Sequence, residues 1–320
     1  MTSDSLPPAD DSASPRVLSI GECMLELRPD GNDRYELGFG GDTLNTAIYL
    51  ARLGLRADYA TALGDDPYSD VMVEGWLAEG VGTDLVVRLS GCLPGFYIIR
   101  NGPNGERSFH YWRDSAAARR LFSCAGTSRV VDQAFAYDWI YLSGVTLSLY
   151  DASGLDVLQE LLARYRASGG RVAFDSNYRP PVWSGRAAAR TVFDRFYPQV
   201  DLALPSFEDE HALYGDADGE ACASRLAARG IGEVVVKQGA SGCVLAMDGK
   251  QQVLPIDKPV IAVDATAAGD AFNAGYLAAR LAGRDPVAAA TAGRRLAEAV
   301  VTRRGAIIPR EAMPAGVLAT

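Results

Sequence analysis

From Trp139 onward the chain alternates short apolar runs with longer amphipathic stretches, and this alternation most narrows the folds open to it. Runs near 139–143, 171–175, 201–204 and 233–237 have strand character. Helical stretches near 153–167, 185–197 and 219–229 separate them. Strands joined through helices lie parallel, and the helices cover the sheet they form. Upstream, 17–27 and 57–63 read as strands. Asp42–Leu53 reads as a helix capped by Asp42 or Thr43, and 67–79 as a second with Pro67 near its start. The stretches 96–100 and 107–112 flank Asn101-Gly102-Pro103-Asn104-Gly105, a hairpin signature. A second hairpin joins 242–247 to 251–256 around Asp248-Gly249. Helices at 270–281 and 286–302 close the chain. The 96–112 hairpin and the early strands do not fit a βαβ series. They form either a small sheet that covers a site like a lid, or an edge extension of the main sheet.

Bulk properties exclude several classes. The net charge of −9 argues against binding nucleic acid or an anionic membrane through a basic surface. Cys23, Cys92, Cys124, Cys222 and Cys243 lie far apart with no CxxC pair, which fits a reducing cytosol better than a disulfide framework or a thiolate metal site. No apolar run approaches the roughly 18 residues of a membrane span. Residues 1–15 lack the basic and apolar regions of a signal peptide and are expected to be a disordered tail. The expected location is cytoplasmic. His110 and His211 are the only histidines, so chemistry needing several imidazoles is disfavoured. No GxxxxGK[ST] motif is present.

The segment Val263–Tyr276 carries the chemistry. A β-type run (Val260, Ile261, Val263) leads through small residues to Asp270 and a helix running to Leu281. Consecutive N–H groups of small residues at a helix start can close on an anion. A carboxylate beside such a nest suits phosphoryl transfer to a hydroxyl: Asp270 accepts the proton while the amides of Ala267, Ala268 and Gly269 hold the moving group. The alternative is a tight turn with Asp270 near the helix cap. In open α/β sheets ligands sit beyond the carboxyl ends of the strands, and a nest following a strand at 260–263 would lie there.

Gly40-Gly41-Asp42-Thr43-Leu44-Asn45 resembles the glycine-pair signature of the ribokinase-like (PfkB) carbohydrate kinases. Asp264-Ala265-Thr266-Ala267-Ala268-Gly269-Asp270 resembles their second signature, Asp-Thr-x-Gly-Ala-Gly-Asp. Gly21-Glu22-Cys23-Met24, Tyr111-Trp112-Arg113, Asn177-Tyr178-Arg179-Pro180 and the stretch 304–311 are similar to the branch acting on 2-keto-3-deoxygluconate. The likeness runs from about Val17 to the C-terminus. It implies a ribokinase-like α/β domain over 16–320, with helices on both faces of a mainly parallel sheet and a small β-sheet lid from segments near 22–41 and 93–113. It implies ATP and Mg²⁺ as cofactors and a sugar acid as substrate. A homo-oligomer is expected, and exposed lid strands offer a way to pair subunits.

The resemblance also assigns roles. Asp270 is the base. Gly40, Gly41, Asp42 and Asn45 approach sugar hydroxyls, with helix capping by Asp42 as the alternative. Tyr97 and Tyr111 close over the sugar. Arg113 and Arg179 are candidates for the substrate carboxylate, which a planar two-donor guanidinium matches; solvated surface arginines are the alternative. Asn177, Arg179, Ser206, Lys237, Gly239, Ala240, Gly242, Gly305 and the nest face the nucleotide, with Gly305 and Ala306 beside the adenine. The apolar face of 286–302 reads as core. Two signatures depart from the pattern: Ala265 stands for Thr and Ala267 for the first nest glycine, and Ser206-Phe207-Glu208-Asp209 stands for Asn-x-x-Glu, where Asp209 keeps a carboxylate with an indirect role toward Mg²⁺. Other readings are a related kinase acting on fructose, ribose or another deoxy-keto acid, and a non-catalytic sugar-acid sensor.

Overall fold

The computed structural model describes residues 15–30, 34–101 and 107–319. Residues 1–14 of the expected tail and the turn at 102–106 lie outside the described residues. β1 (Arg16–Ile20), β2 (Met24–Pro29) and β3 (Tyr35–Gly40) lead into α1 (Asp42–Arg52), followed by β4 (Arg56–Gly64), α2 (Pro67–Ala78), β5 (Val86–Leu89), β6 (Phe96–Asn101), β7 (Arg107–Trp112) and α3 (Thr127–Ala134). Next come β8 (Trp139–Ser143), the single turn α4 (Gly144–Leu147), α5 (Ala152–Ala167), β9 (Arg171–Asp175), α6 (Arg186–Phe196), β10 (Leu202–Ala203), α7 (Phe207–Tyr214), α8 (Gly219–Ala227) and β11 (Glu233–Lys237). The hairpin β12 (Gly242–Met247) and β13 (Lys250–Pro255) precedes α9 (Ala268–Leu281) and α10 (Pro286–Val301).

The alternation becomes a nine-stranded sheet of order β13-β12-β11-β10-β9-β8-β1-β4-β5. It is parallel except at the terminal hairpin, where β11–β12 and β12–β13 are antiparallel. Side chains alternate across each strand, so neighbouring residues enter different cores. Val234 and Val236 join Phe174, Leu158 and Phe193 on one face. Val235 joins Tyr141, Ile48, Leu277 and Leu296 on the other. Helices therefore cover both faces. Asp248 and Gly249 both take positive φ (52° and 72°), which the tight β12–β13 turn requires.

The 96–112 hairpin does not extend the main sheet. It joins β2 and β3 in a separate four-stranded sheet of order β3-β2-β6-β7. The single strand expected over 17–27 is accordingly two. The chain leaves the main sheet at Gly21-Glu22-Cys23 and continues as β2 in the small one. Its return is close-packed: a Cβ on Gly41 would lie 2.2 Å from the Glu22 carbonyl oxygen. The strand expected at 260–263 does not form. Val263 and Asp264 both donate their N–H to the Val301 carbonyl at the end of α10 (2.7 and 3.1 Å) instead of to a neighbouring strand. Ile261 there is 90% exposed.

Candidate active site

A cavity of about 990 Å³ opens beyond the carboxyl ends of β9 and β11, bounded by the small sheet, the start of α9 and the flank of α10. Of the candidate site residues read from sequence, all but Arg113, Gly305 and Ala306 line it.

Asp270 sits in the first turn of α9, 9% exposed, on the cavity floor. Asn45 Nδ2 donates to its Oδ2 at 2.8 Å. Burial, and after it the Asp42 charge, push the Asp270 carboxyl up to about 8; the Asn45 bond pulls it down, Asp175 raises it and Lys237 lowers it. A buried carboxylate with that proton affinity can take a proton near neutral pH. Ala267 caps α9 with left-handed backbone (φ 60°, ψ 15°), the conformation glycine favours. The Ala268 N–H donates to the Ala265 carbonyl at 3.2 Å.

Asp42 does not cap α1. Gly41 holds the cap position without a side-chain bond. Asp42 is the first helical residue, and its Oδ2 accepts from Asn177 Nδ2 at 2.5 Å. Asn177 takes φ 30°, with its N–H donating to Asp175 Oδ1 at 3.2 Å, an Asx-type turn that ends β9 and aims its side chain back across the cavity. Arg179 is 54% exposed along its side chain and donates to Asp209 Oδ1 at 2.9 Å. Burial raises the Asp209 carboxyl, against the lowering pull of Arg179. Ser206 caps α7 by accepting the Asp209 N–H.

Lys237, the last residue of β11, does not point freely outward. Its Nζ donates to Asp175 Oδ2 (2.8 Å) and Asn273 Oδ1 (2.9 Å). Gly239, Ala240 and Gly242 follow on the cavity wall, and the positive φ (106°) of Gly242 lets Leu254 O approach to where a Cβ would be only 2.0 Å away. The far end is a largely apolar slot between residues 254–262 (Leu254, Ile256, Val260, Ala262) and α10 (Val287, Ala290, Ala297, Val301), with Lys258, Arg294 and Glu298 also in its lining. α10 is thus a cavity wall as well as core.

Two expectations need correction. Arg113 does not line the cavity: it forms an ion pair with Glu22 at the root of the small sheet, their side chains 10% and 1% exposed. A carboxylate buried that deeply needs a counter-charge, and Arg113 is spent on it; burial still raises the Glu22 carboxyl. Gly305 is also engaged elsewhere, its N–H donating to Asp264 Oδ2 at 2.9 Å, and the Ala306 carbonyl accepts from Tyr49 OH at 2.7 Å. On the opposite wall, Tyr97 (8% exposed) and Tyr111 (48%) pack at 5.7 Å between ring centroids, their planes tilted by 38°. The Tyr97 hydroxyl donates to Glu26, its partner in the β2–β6 register, and burial pushes that hydroxyl's pKa up. Sequence reasoning missed Phe109, Glu208 and Asn273. Phe109 lies two residues before Tyr111 on the same strand face, a signal that period-two reading offers.

The class of protein follows from comparison as well as geometry. The chain belongs to the pfkB family of carbohydrate kinases, whose model matches residues 14–313, and it is an ATP-dependent sugar kinase. Within that family it is similar to the 2-dehydro-3-deoxygluconokinases of Escherichia coli K12 (41% identical over 312 residues, 94% of this chain and 100% of that one) and Dickeya dadantii 3937 (42% over 309 residues, 93% and 98%). It is also similar to a Klebsiella pneumoniae fructokinase (30% over 264 residues, 82% and 83%). Among solved structures, a 2-dehydro-3-deoxygluconokinase of Thermotoga maritima shares the fold at TM-score 0.81 and 23% identity, covering 92% of this chain and 95% of that one.

Proposed function

We propose that this kinase transfers the γ-phosphoryl group of ATP to the C6 hydroxyl of 2-keto-3-deoxy-D-gluconate (2-dehydro-3-deoxygluconate), giving the 6-phosphate and ADP. The observation that carries the reading is Asp270, held by Asn45 at a helix start on the cavity floor, between the small sheet and the apolar slot. Asp270 accepts the C6 hydroxyl proton as the oxygen attacks phosphorus in line and ADP leaves. The Gly269 and Ala267 amides receive the charge of the moving group, joined by Ala268 when it gives up its long bond to Ala265. The slot takes the adenine by its apolar walls. Asn177, Ser206, Lys237, Gly239, Ala240 and Gly242 face the phosphates. Glu208 and Asp209 offer hard carboxylate oxygens that could bind Mg²⁺ or accept hydrogen bonds from its waters, and the ion, when bound with ATP, would neutralise phosphate charge.

Gly40, Gly41, Asp42 and Asn45 hold sugar hydroxyls, and Arg179, half exposed in the cavity, pairs with the sugar carboxylate. The small sheet acts as a lid: Tyr97 and Tyr111 cover the sugar and keep out water, which would otherwise take the phosphoryl group. Tyr35, Leu37 and Trp112, exposed on that sheet, support a homo-oligomer paired through it; light scattering tests this. No helix among the described residues is long and apolar enough to cross a membrane.

The internal pairing of Arg113 favours a second reading, a kinase for a neutral ketose, because it removes one of two guanidiniums from the carboxylate argument. ADP release measured with ATP, Mg²⁺ and each sugar decides. Stimulation by the keto-deoxy acid supports the first reading; stimulation by fructose alone supports the second.

A further inference from the structure

Three buried side chains close a triangle beneath the nest. Lys237 Nζ donates to Asp175 Oδ2 and to Asn273 Oδ1, and Asn273 Nδ2 donates to the same Asp175 oxygen at 2.6 Å. Asn273 is fully buried, Asp175 5% exposed and Lys237 9%. Asn273 Nδ2 also donates to Tyr141 OH at 2.9 Å. That hydroxyl accepts from Thr46 Oγ1 at 3.3 Å. The middle of β8 and the ends of β9 and β11 are thereby tied to α9 and α1.

Asn273 lies three residues after Asp270, one turn along the same helix face. Its carbonyl meets the ammonium and its NH₂ meets the carboxylate, a division a neutral amide provides with separate acceptor and donor atoms. An aspartate would set two carboxylates side by side, and a leucine would leave both ions short of a partner. The Lys237 ammonium spends two of its three donors here. It lies 3.3 Å from where a Cβ on Gly269 would stand, directly under the nest. Lys237 and Asp175 pair across strand ends, and without a third group nothing in that pair fixes its distance from α9.

We propose that Asn273 is a positioning residue for phosphoryl transfer: it fastens the first turn of α9, carrying Gly269 and Asp270, to the Lys237–Asp175 pair, so that ammonium, nest and base keep one spacing. The inference rests on the phosphoryl-transfer reading above. Charge developing at the nest then meets a cation already in place, with no rearrangement during the reaction. The charges facing Asp270 are Asp42 from α1, Asp175 from β9 and Lys237 from β11, with neutral Asn45 bonded to it. Losing the Asn273 tie draws Lys237 toward Asp175 and away from the base.

The test is steady-state kinetics on purified Asn273→Ala, Lys237→Met and the double variant, each with a melting curve. Asn273→Ala is expected to lower kcat by about tenfold to a hundredfold, with little change in KM for ATP or sugar. Its kcat–pH limb moves to higher pH. In the Lys237→Met background the Asn273 change costs less than about threefold, because it acts through the ammonium. Wild-type kcat and pH limb with only a lower melting temperature would make Asn273 merely structural and overturn the proposal, as would additive losses in the double variant. Should Asn273→Ala fail to fold, Asn273→Ser is read by the same criteria. Turnover of a different sugar by the wild type would sink the substrate reading and leave this one standing; silence on every sugar would overturn both.

Discussion

Asn45 Nδ2 donates to Asp270 Oδ2 at 2.8 Å, joining residues 225 apart in sequence and tying the start of α1 to the start of α9. The bond spends one carboxylate oxygen on orientation and leaves the other as the acceptor a hydroxyl can meet. It also stabilises the ionised form, against burial and the nearby Asp42 charge.

The pH dependence of kcat/KM follows. As the proposed base, Asp270 works only when ionised, so kcat/KM rises with pH, with a midpoint near the free enzyme's raised value of about 8. Asn45→Ala removes an interaction that lowers this value, so its midpoint moves up and its activity at neutral pH falls further than at alkaline pH. Asp42→Asn removes a like charge and moves the kcat/KM midpoint down. Parallel profiles for all three proteins would contradict the assignment.

Asp270→Asn is expected to lower kcat by about 10²–10⁴-fold while ATP still binds, measured by calorimetry. It should also melt higher than wild type. The carboxyl is raised from 3.8 to about 8 on folding, so its contribution to stability is complete below 3.8 and is lost as pH rises through about 8. The gap between variant and wild type therefore widens across that window and levels off above it.

The two arginines separate by experiment. Arg113→Ala strands Glu22 in the interior and is expected to cost about 3–5 kcal/mol in urea unfolding, with Glu22→Gln in the same chain recovering much of the loss. Arg179→Ala, at an exposed side chain, should leave stability nearly unchanged and raise KM for a sugar acid by at least about tenfold. Equal effects on a neutral ketose would show that Arg179 does not meet the carboxylate.

Ala267→Gly should stabilise the protein by up to about 1 kcal/mol, because alanine at φ 60° bears a left-handed penalty that glycine does not. The usual loss for alanine to glycine in a helix, seen instead by thermal unfolding, would contradict the left-handed cap.

What sequence made legible was periodic or local. The strands and helices after Trp139 announced themselves because strands buried on both faces are short continuous apolar runs while the helices between them are amphipathic, and Asp248-Gly249 marked a turn needing positive φ. The nest and Asp270 were legible because small residues before a helix carry a local electrostatic meaning. Partner choice was not legible. The 260–263 run looks like a strand, but its apolar side chains Val260 and Ala262 face a slot, and its amides go to Val301. Arg113 looks like a ligand arginine, yet Glu22, far away in sequence, claims it. Asn273 gave no signal, since its worth depends on the ends of β9 and β11, which meet only in the folded sheet.

The most direct measurement is phosphorus–proton correlation NMR on the product formed from ATP, Mg²⁺ and 2-keto-3-deoxy-D-gluconate, run beside a parallel assay of ADP. One ADP per sugar and phosphate coupled to the C6 protons are expected. No ADP with this acid, or phosphate on another carbon, would contradict the proposed reaction.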